Sequence, residues 1–457
     1  MKKRTFLKRS SALLAGSTLL PMISCKNPAA NASPSAHTNW AGNLSYSTDN
    51  VYRPESVEGV QEWVRKCEKI RALGSRHCFN DVADSKENQL SFDRLNQLLS
   101  LDEAGRTVTV QAGMRYGELA PILHERGFAL HNLASLPHIS VAGACATATH
   151  GSGVGNGNLA TAVKAMQFVD AQGEVHRMDA KNDPDTFPGA VVHLGGIGMV
   201  TEVTLNIEPT YEVDQAVYLE LPRNQLEVHF EEILSAGYSV SLFVDYQSDT
   251  INQVWVKRKR TPGESNLIRP TLYGAKRATK DVHPIIEISA ESCTQQMGIP
   301  GPWFNRLPHF KMDFTPSSGK ELQTEYFVPR DRAFDAIEAV YGLADRIRPY
   351  LMISEIRTIA QDELWMSTAY HRDSVAIHFT WEQDVEGVQA LLPVLEKALE
   401  PFDPRPHWGK IFGFTGEELA EKYEKMPEFR QLLSHYDPNG KFRNSFMNRY
   451  IFQTKMV

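Results

Sequence analysis

Residues 134–161 read ASLPHISVAGACATATHGSGVGNGNLAT. Gly, Ala, Ser and Thr dominate, one helix-incompatible proline interrupts the run, and bulky side chains are nearly absent. Such a stretch lets the backbone approach a partner closely, and its N–H groups can ring a phosphate. The segment GSGVGNG is G-x-G-x-G with no closing G-x-x-G and no suitable preceding strand, so it is not the dinucleotide fingerprint. The lysine-bearing phosphate loop is also absent. Local features leave two readings open: a flexible glycine loop, or a cradle for a ligand.

The surrounding pattern is mixed. Ser56 caps a helix whose Val60, Trp63, Val64 and Cys67 follow 3-4 spacing, and a strand at 70–73 follows it. Hairpins are predicted at 98–101 with 107–110 and at 165–169 with 175–178, a helix at 115–126, and a strand at 200–207. Pro209 marks a boundary. Strands at 238–246, 253–258, 323–328, 351–359 and 374–381, helices at 331–347 and 386–400, and an irregular region at 261–318 make a second α+β block. A tail at 437–446 with a Pro438-Asn439-Gly440 turn is expected to pack back on the first block.

The 457 residues carry a formal net charge of −7, which gives no electrostatic reason to expect nucleic acid. The amino end differs from the rest. MKKRTFLKRS is basic, and SALLAGSTLLPMIS is apolar but too short to span a bilayer as a helix. Residues 1–25 therefore read as an export leader. Ile23-Ser24-Cys25 resembles a lipobox that would lipidate Cys25, and Lys3-Arg4-Thr5-Phe6-Leu7-Lys8 resembles a twin-arginine motif with Lys for the first Arg. Residues 26–37 read as a tether. Cys67, Cys78, Cys145 and Cys293 match no metal spacing and are expected to be buried thiols.

Two strands of the second block carry polar pairs at i, i+2. Glu355 and Arg357 share one face of LMISEIRTIA, and His378 and Thr380 share one face of SVAIHFTW. Each is either a structural ion pair on a solvated face or the floor of a polar pocket. PRPHWGKIF (404–412) brings His407 and Lys410 around Trp408-Gly409, and alone reads as an ordinary loop. In RALGSRHCFN, the strand gives way to Gly74-Ser75 and then Arg76-His77, which alone suggests a surface or capping histidine.

These blocks, RALGSRHCFN, 134–161, SEIRTI, AIHFTW and RPHWGKIF, occur in this order in the sugar-alcohol (alditol) oxidases of the vanillyl-alcohol oxidase superfamily, close to the aldonolactone oxidases. The resemblance runs from Asn39-Trp40-Ala41-Gly42-Asn43 nearly to the end and includes PGPW at 300–303 and FTPSSG at 314–319. It implies an α+β, two-domain flavoprotein: a PCMH-type FAD-binding domain at 38–209, a substrate (cap) domain at 210–425, and a segment at 426–457 returning to the first. By resemblance, Leu73, Gly74, Ser75, Arg76, His77, Cys78 and Phe79 embrace FAD, with His77 the covalent link to the 8α carbon. Ser135, Ser140, Gly143, Thr147, Ala148, Thr149, His150, Val200 and His407 are further cofactor contacts. Ser135, Glu355, Arg357, Thr380 and Lys410 match the polyol-binding set, with His378 at its edge. Arg76 and Cys78 stand where glycine and serine are usual, and Cys145 is not placed for a second tether.

The implied activity is oxidation of a primary alcohol of a polyol to the aldose, with dioxygen reduced to hydrogen peroxide. Arg357 and Lys410 would favour the alkoxide electrostatically, with Glu355 and His378 beside them. The alternatives are an aldonolactone oxidase or dehydrogenase on the same fold, or an exported sugar-binding lipoprotein without redox chemistry. The partners implied are a small polyol and dioxygen, with no nucleic acid and a membrane engaged only through the N-terminal lipid.

Overall fold

A cap, a breaker and a period account for most element ends. In the computed structural model, which describes residues 37–261 and 268–454, the Ser56 hydroxyl accepts from the Gly59 N–H and starts the helix Val57–Lys66. Its buried Val60 and Val64 face the core. The leader, the Cys25 lipobox and the tether up to residue 36 lie outside the described residues. Among those described, no helix is long and apolar enough to cross a membrane.

Val51–Tyr52 and Arg71–Leu73 flank Gln89–Ser91 in a small parallel sheet. The two predicted hairpins, Leu98–Asp102 with Thr107–Gln111 and Val163–Val169 with Val175–Asp179, are joined by Met199–Asn206 into a five-stranded antiparallel sheet. Beyond Pro209 the chain builds a ten-stranded antiparallel sheet. Its centre runs Glu212–Pro222, Thr250–Lys259, Ser239–Val244, Leu351–Ile359, Ser374–Trp381, Leu322–Pro329. The helix Ala333–Tyr341 packs on its Leu322–Pro329 and Ser374–Trp381 strands, and the helix Val385–Leu399 packs on that helix. Both sheets belong to one compact unit that starts at His37.

Three expectations shift. The helix expected over 331–347 breaks at Gly342 into Ala333–Tyr341 and Ala344–Ile347, as a glycine permits. The strand Glu212–Pro222 was not anticipated, because EVDQAVYLELP has no clean alternation: most of it is buried on both faces. The stretch 134–161 is not loop throughout, since Val141–Ala146 is helical and Leu159–Ala162 forms a 3₁₀ turn.

The tail does lie on the first block. Lys441 Nζ donates to the Val64 and Cys67 carbonyls at 2.7 and 2.6 Å. Asn444 Nδ2 donates to the Asp81 carbonyl at 2.9 Å. Arg71, 2% exposed, has no carboxylate on its guanidinium among the described residues. It donates instead to the carbonyls of Val82, Leu194, Gly195 and Phe442, so one cation ties three other chain segments to its own strand. Burying a guanidinium is tolerable only with its N–H groups satisfied in this way. Cys67, Cys145 and Cys293 are buried, and they and the half-buried Cys78 are free thiols.

Candidate active site

The residues gathered by sequence meet along one elongated cleft. Gly74, Ser75, Arg76, His77, Cys78, Phe79, Ser140, Gly143, Thr147, Thr149, His150, Val200 and His407 line one limb, and Ser135, Glu355, Arg357, His378, Thr380 and Lys410 line the other. Two expected residues do not reach it: Leu73 and Ala148 are buried at 3% and 0% exposure and do not line the cleft. Leu73, the last residue of its strand, lines instead an adjoining cavity that shares Gly74, Ser75, Arg76 and Ser140 with the cleft, and Ala148 turns its backbone at φ 54.

The loop bearing His77 is held from both sides. Asn39 and Asn43 side chains donate to the Cys78 and Phe79 carbonyls at 2.9 and 3.0 Å. Phe79 N donates to Gly409 O at 2.7 Å, and Asn80 Nδ2 donates to the Trp408 and Lys410 carbonyls. His77 stacks on Trp40 at 5.4 Å between centroids. Its pKa is pushed down to about 3, by burial first and then by His138, Arg115 and Arg76. The imidazole is therefore neutral, with a lone pair free to make a bond to carbon. Arg76 sits at φ 64, the left-handed region that favours glycine.

Whether this limb suits FAD can be judged from its walls. The Ser140 hydroxyl is buried and has no protein partner among the described residues. A Cβ added at Gly143 or Gly74 would stand 2.8 or 3.1 Å from that hydroxyl, so the glycines keep open the space in front of an unpaired polar atom. Small side chains, an unsatisfied hydroxyl and a neutral histidine fit the cofactor.

The other limb is a charge cluster built on the large sheet. Glu325, His378 and Glu355 stand directly opposite one another on three adjacent strands. Lys410 Nζ donates to Glu325 Oε2 at 2.6 Å and to His378 Nδ1 at 2.7 Å. His378 Nε2 faces Thr380 Oγ1 at 3.1 Å. Arg357 donates through Nη2 to Glu325 Oε1 at 2.6 Å and through Nη1 to Ser135 Oγ at 3.1 Å. His150 Nε2 lies 3.2 Å from Glu325 Oε1. Burial alone would raise the Glu325 carboxyl, but Lys410, His150 and Arg357 hold it well below the usual carboxylate range. Burial likewise opposes ionisation of Glu355, and Arg357 and His309 overcome it. Burial lowers the Lys410 ammonium against the pull of Glu325, and Arg357 adds to the lowering. Burial, then Lys410, keeps His378 neutral.

Sequence reasoning missed Glu325 and His309. Glu325 alternates with Gln323 on LQTEYFVP, the same i, i+2 signal that marked Glu355 and Arg357, and could have been found. His309 lies in irregular chain, and no periodicity marks it.

Two polar atoms of this limb remain available. Arg357 Nε is buried without a hydrogen bond, 3.6 Å from Glu355 Oε1. Lys410 uses two of the three N–H positions of an ammonium. Fixed donors around a polar hollow can stabilise an oxygen that becomes an anion.

Comparison with known proteins covers residues of both limbs. The FAD binding domain family matches residues 48–179, and the D-arabinono-1,4-lactone oxidase family matches residues 314–450. An alditol oxidase of Streptomyces sp. (strain IKD472 / FERM P-14339) is 46% identical over 415 residues, covering 90% of this chain and 98% of the relative. An L-gulono-1,4-lactone dehydrogenase of Mycobacterium tuberculosis is 26% identical over 430 residues, covering 91% and 98%. Cholesterol oxidase from B. sterolicum superposes with a TM-score of 0.74 at 15% identity, over 91% of this chain and 96% of that one, which identifies the PCMH-type FAD fold. Because the similarity at 46% identity takes in both the limb that suits the flavin and the charged limb beyond it, the chain belongs to the alditol oxidase family of FAD-dependent oxidoreductases.

Proposed function

We propose that this protein oxidises a primary alcohol of a polyol to the aldose. The carrying observation is the placement of Arg357 and Lys410, two buried cations with donors to spare, on a hollow also lined by Ser135, Glu355 and Thr380. A polyol bears a hydroxyl on each carbon, and a wall of alternating donors and acceptors is what recognises it.

Bound FAD supplies the two-electron acceptor for the hydride, and dioxygen carries those electrons on to hydrogen peroxide. The protein does the rest. Ser140, Gly143, Thr147 and Thr149 would hold the cofactor, and His77 would fix it covalently. Arg357 and Lys410 stabilise the substrate oxygen as it loses its proton, because their charges are already in place and need no reorganisation. Lys410 Nζ, lowered by burial, exchanges protons with that oxygen more readily than an exposed lysine would. His378 receives a hydrogen bond from Lys410 and orients it. Glu325 holds both cations, and Glu355 accepts hydroxyls further along the substrate.

Oxygen uptake with xylitol, sorbitol and a γ-lactone tests this reading, and turnover of the lactone alone would overturn it. That second reading, an aldonolactone oxidase or dehydrogenase, draws on the lactone oxidase family match over 314–450. For the amino end, the basic start, the short apolar run and Ile23-Ser24-Cys25 support export and lipid anchoring at Cys25. Radiolabelled palmitate incorporation, lost in Cys25→Ala, would establish it.

A further inference from the structure

Lys257 is 1% exposed and does not line the cleft. It lies on Thr250–Lys259, two strands from Leu351–Ile359, with Ser239–Val244 between them. Its Nζ donates to the Leu307 and Pro308 carbonyls and stands 3.0 Å from His309 Nδ1. Three acceptors match the three N–H groups of an ammonium. His309 Nδ1 must then be a lone pair, and the ring proton must sit on Nε2. That nitrogen is 2.7 Å from Glu355 Oε1. The same residue touches Ser135: the His309 and Phe310 main-chain N–H groups donate to the Ser135 carbonyl at 2.8 and 3.2 Å. Phe243 and Trp255 hold the ring edge-to-face at 5.5 and 5.1 Å.

We propose that Lys257 is a positioning residue: by occupying His309 Nδ1 it fixes the neutral, Nε2-protonated imidazole that grips Glu355 Oε1 and leaves Oε2 to accept a substrate hydroxyl. What Oε2 accepts rests on the polyol reading, whereas the state of His309 does not. The groups facing His309 are Lys257 from one strand, Ser241 Oγ at 3.5 Å from the next, and Glu355 and Arg357 from the third. Cys293 faces Lys257 from the irregular segment. Burial first, then Lys257, holds His309 at about 4 against the pull of Glu355. Burial pushes Lys257 itself down to about 7, so its cation is present throughout the acid range in which imidazole takes a proton.

Without Lys257 the ring is left beside a carboxylate with an open Nδ1, and protonation becomes favourable. A cationic His309 neutralises Glu355 and weakens it as an acceptor. The flavin-loaded Lys257→Met variant should therefore show a KM for xylitol raised about tenfold, with a smaller loss in kcat, as expected for one weakened charged hydrogen bond. Its kcat/KM should also fall on the acid side of a new ionisation between about pH 5 and 7. That ionisation should vanish in Lys257→Met combined with His309→Gln. A structural role alone would lower activity equally at every pH, so a Lys257→Met profile parallel to the parent's overturns the proposal. Should Lys257→Met not fold, ¹⁵N-histidine spectra of the parent at pH 6, assigned with His309→Gln, decide it: a neutral ring protonated at Nε2 is expected, and an Nδ1-protonated or cationic ring overturns it. If only a lactone is turned over, the polyol reading fails, while the spectra and the pH profile on the lactone still judge Lys257.

Discussion

Lys410 Nζ lies 2.6 Å from Glu325 Oε2, with the Glu325 side chain fully buried and the Lys410 side chain 12% exposed. The pair is an anchored cation: Glu325 holds the ammonium on the hollow that we propose takes the substrate.

Replacing Lys410 with methionine keeps the bulk and removes the charge. The variant should hold its flavin, since Lys410 is placed at the substrate end of the cleft. Anaerobic flavin reduction by xylitol, followed by stopped-flow absorbance, should slow by about 100-fold or more. Reduction at the parent rate would take Lys410 out of the chemistry.

Glu325→Gln leaves Lys410 without its carboxylate and Arg357 with Glu355 alone. Breaking a buried pair on one side costs about 3–5 kcal/mol, so the urea midpoint should drop sharply. In a Glu325→Gln, Lys410→Met double variant, much of that loss should return, because Arg357 keeps Glu355 and no buried cation is then left without a carboxylate.

His77→Ala should still fold. After acid precipitation the parent's yellow colour should stay with the polypeptide, and the variant's should remain in the supernatant. Colour on the precipitated variant would place the covalent link elsewhere.

Arg76 occupies a backbone conformation with φ 64, and among the described residues its side chain donates to the Thr38 carbonyl alone, at 3.4 Å and exposed. A non-glycine residue there costs about 1–2 kcal/mol. Arg76→Gly should raise stability by about 1 kcal/mol after the added chain entropy of glycine, measured as a higher thermal midpoint of the holoenzyme. An unchanged or lower midpoint would show that the arginine contributes more than its backbone costs.

Acid should weaken the fold well before carboxylates titrate. Burial and then Arg71 hold His193 at about 3, and burial and then Lys257 hold His309 at about 4. Unfolded, both would take a proton near pH 6.5. Between about pH 4 and 6.5 the unfolded chain binds more protons, so stability falls as pH falls, by about 1.4 kcal/mol per pH unit for each. Below about pH 4.5, Glu325 and Glu355, both depressed, add to the same slope. Thermal midpoints should drop steadily as the pH falls below 6.5, and on the alkaline side they should rise above pH 7, where Lys257, pushed down to about 7, is neutral in the fold while the unfolded lysine still binds its proton. A midpoint constant down to pH 5 would contradict it.

Local pattern made much of this readable. The strands Leu351–Ile359 and Ser374–Trp381 match the ranges their alternation predicts, and with them the shared faces of Glu355 with Arg357 and His378 with Thr380. What alternation cannot tell is which strands are neighbours. Glu325 becomes central only because Leu322–Pro329 pairs with Ser374–Trp381, across nearly fifty residues of chain. Lys257 carries no signal at all: a lysine near the end of a strand reads as solvated, and only the sheet order buries it. The stretch 134–161 hides its short helix because alanine and glycine suit a helix, a turn and a cradle alike.

The Arg71 guanidinium donates both to Val82 and to Phe442, which lies 371 residues beyond Arg71 itself. A ribosome delivers the cofactor half first and its last fastening last, so that half waits through the synthesis of the whole substrate sheet before it can close. A chain cut short before residue 442 therefore leaves one N–H of this buried guanidinium without its carbonyl, so the cofactor half cannot be closed by its own residues alone.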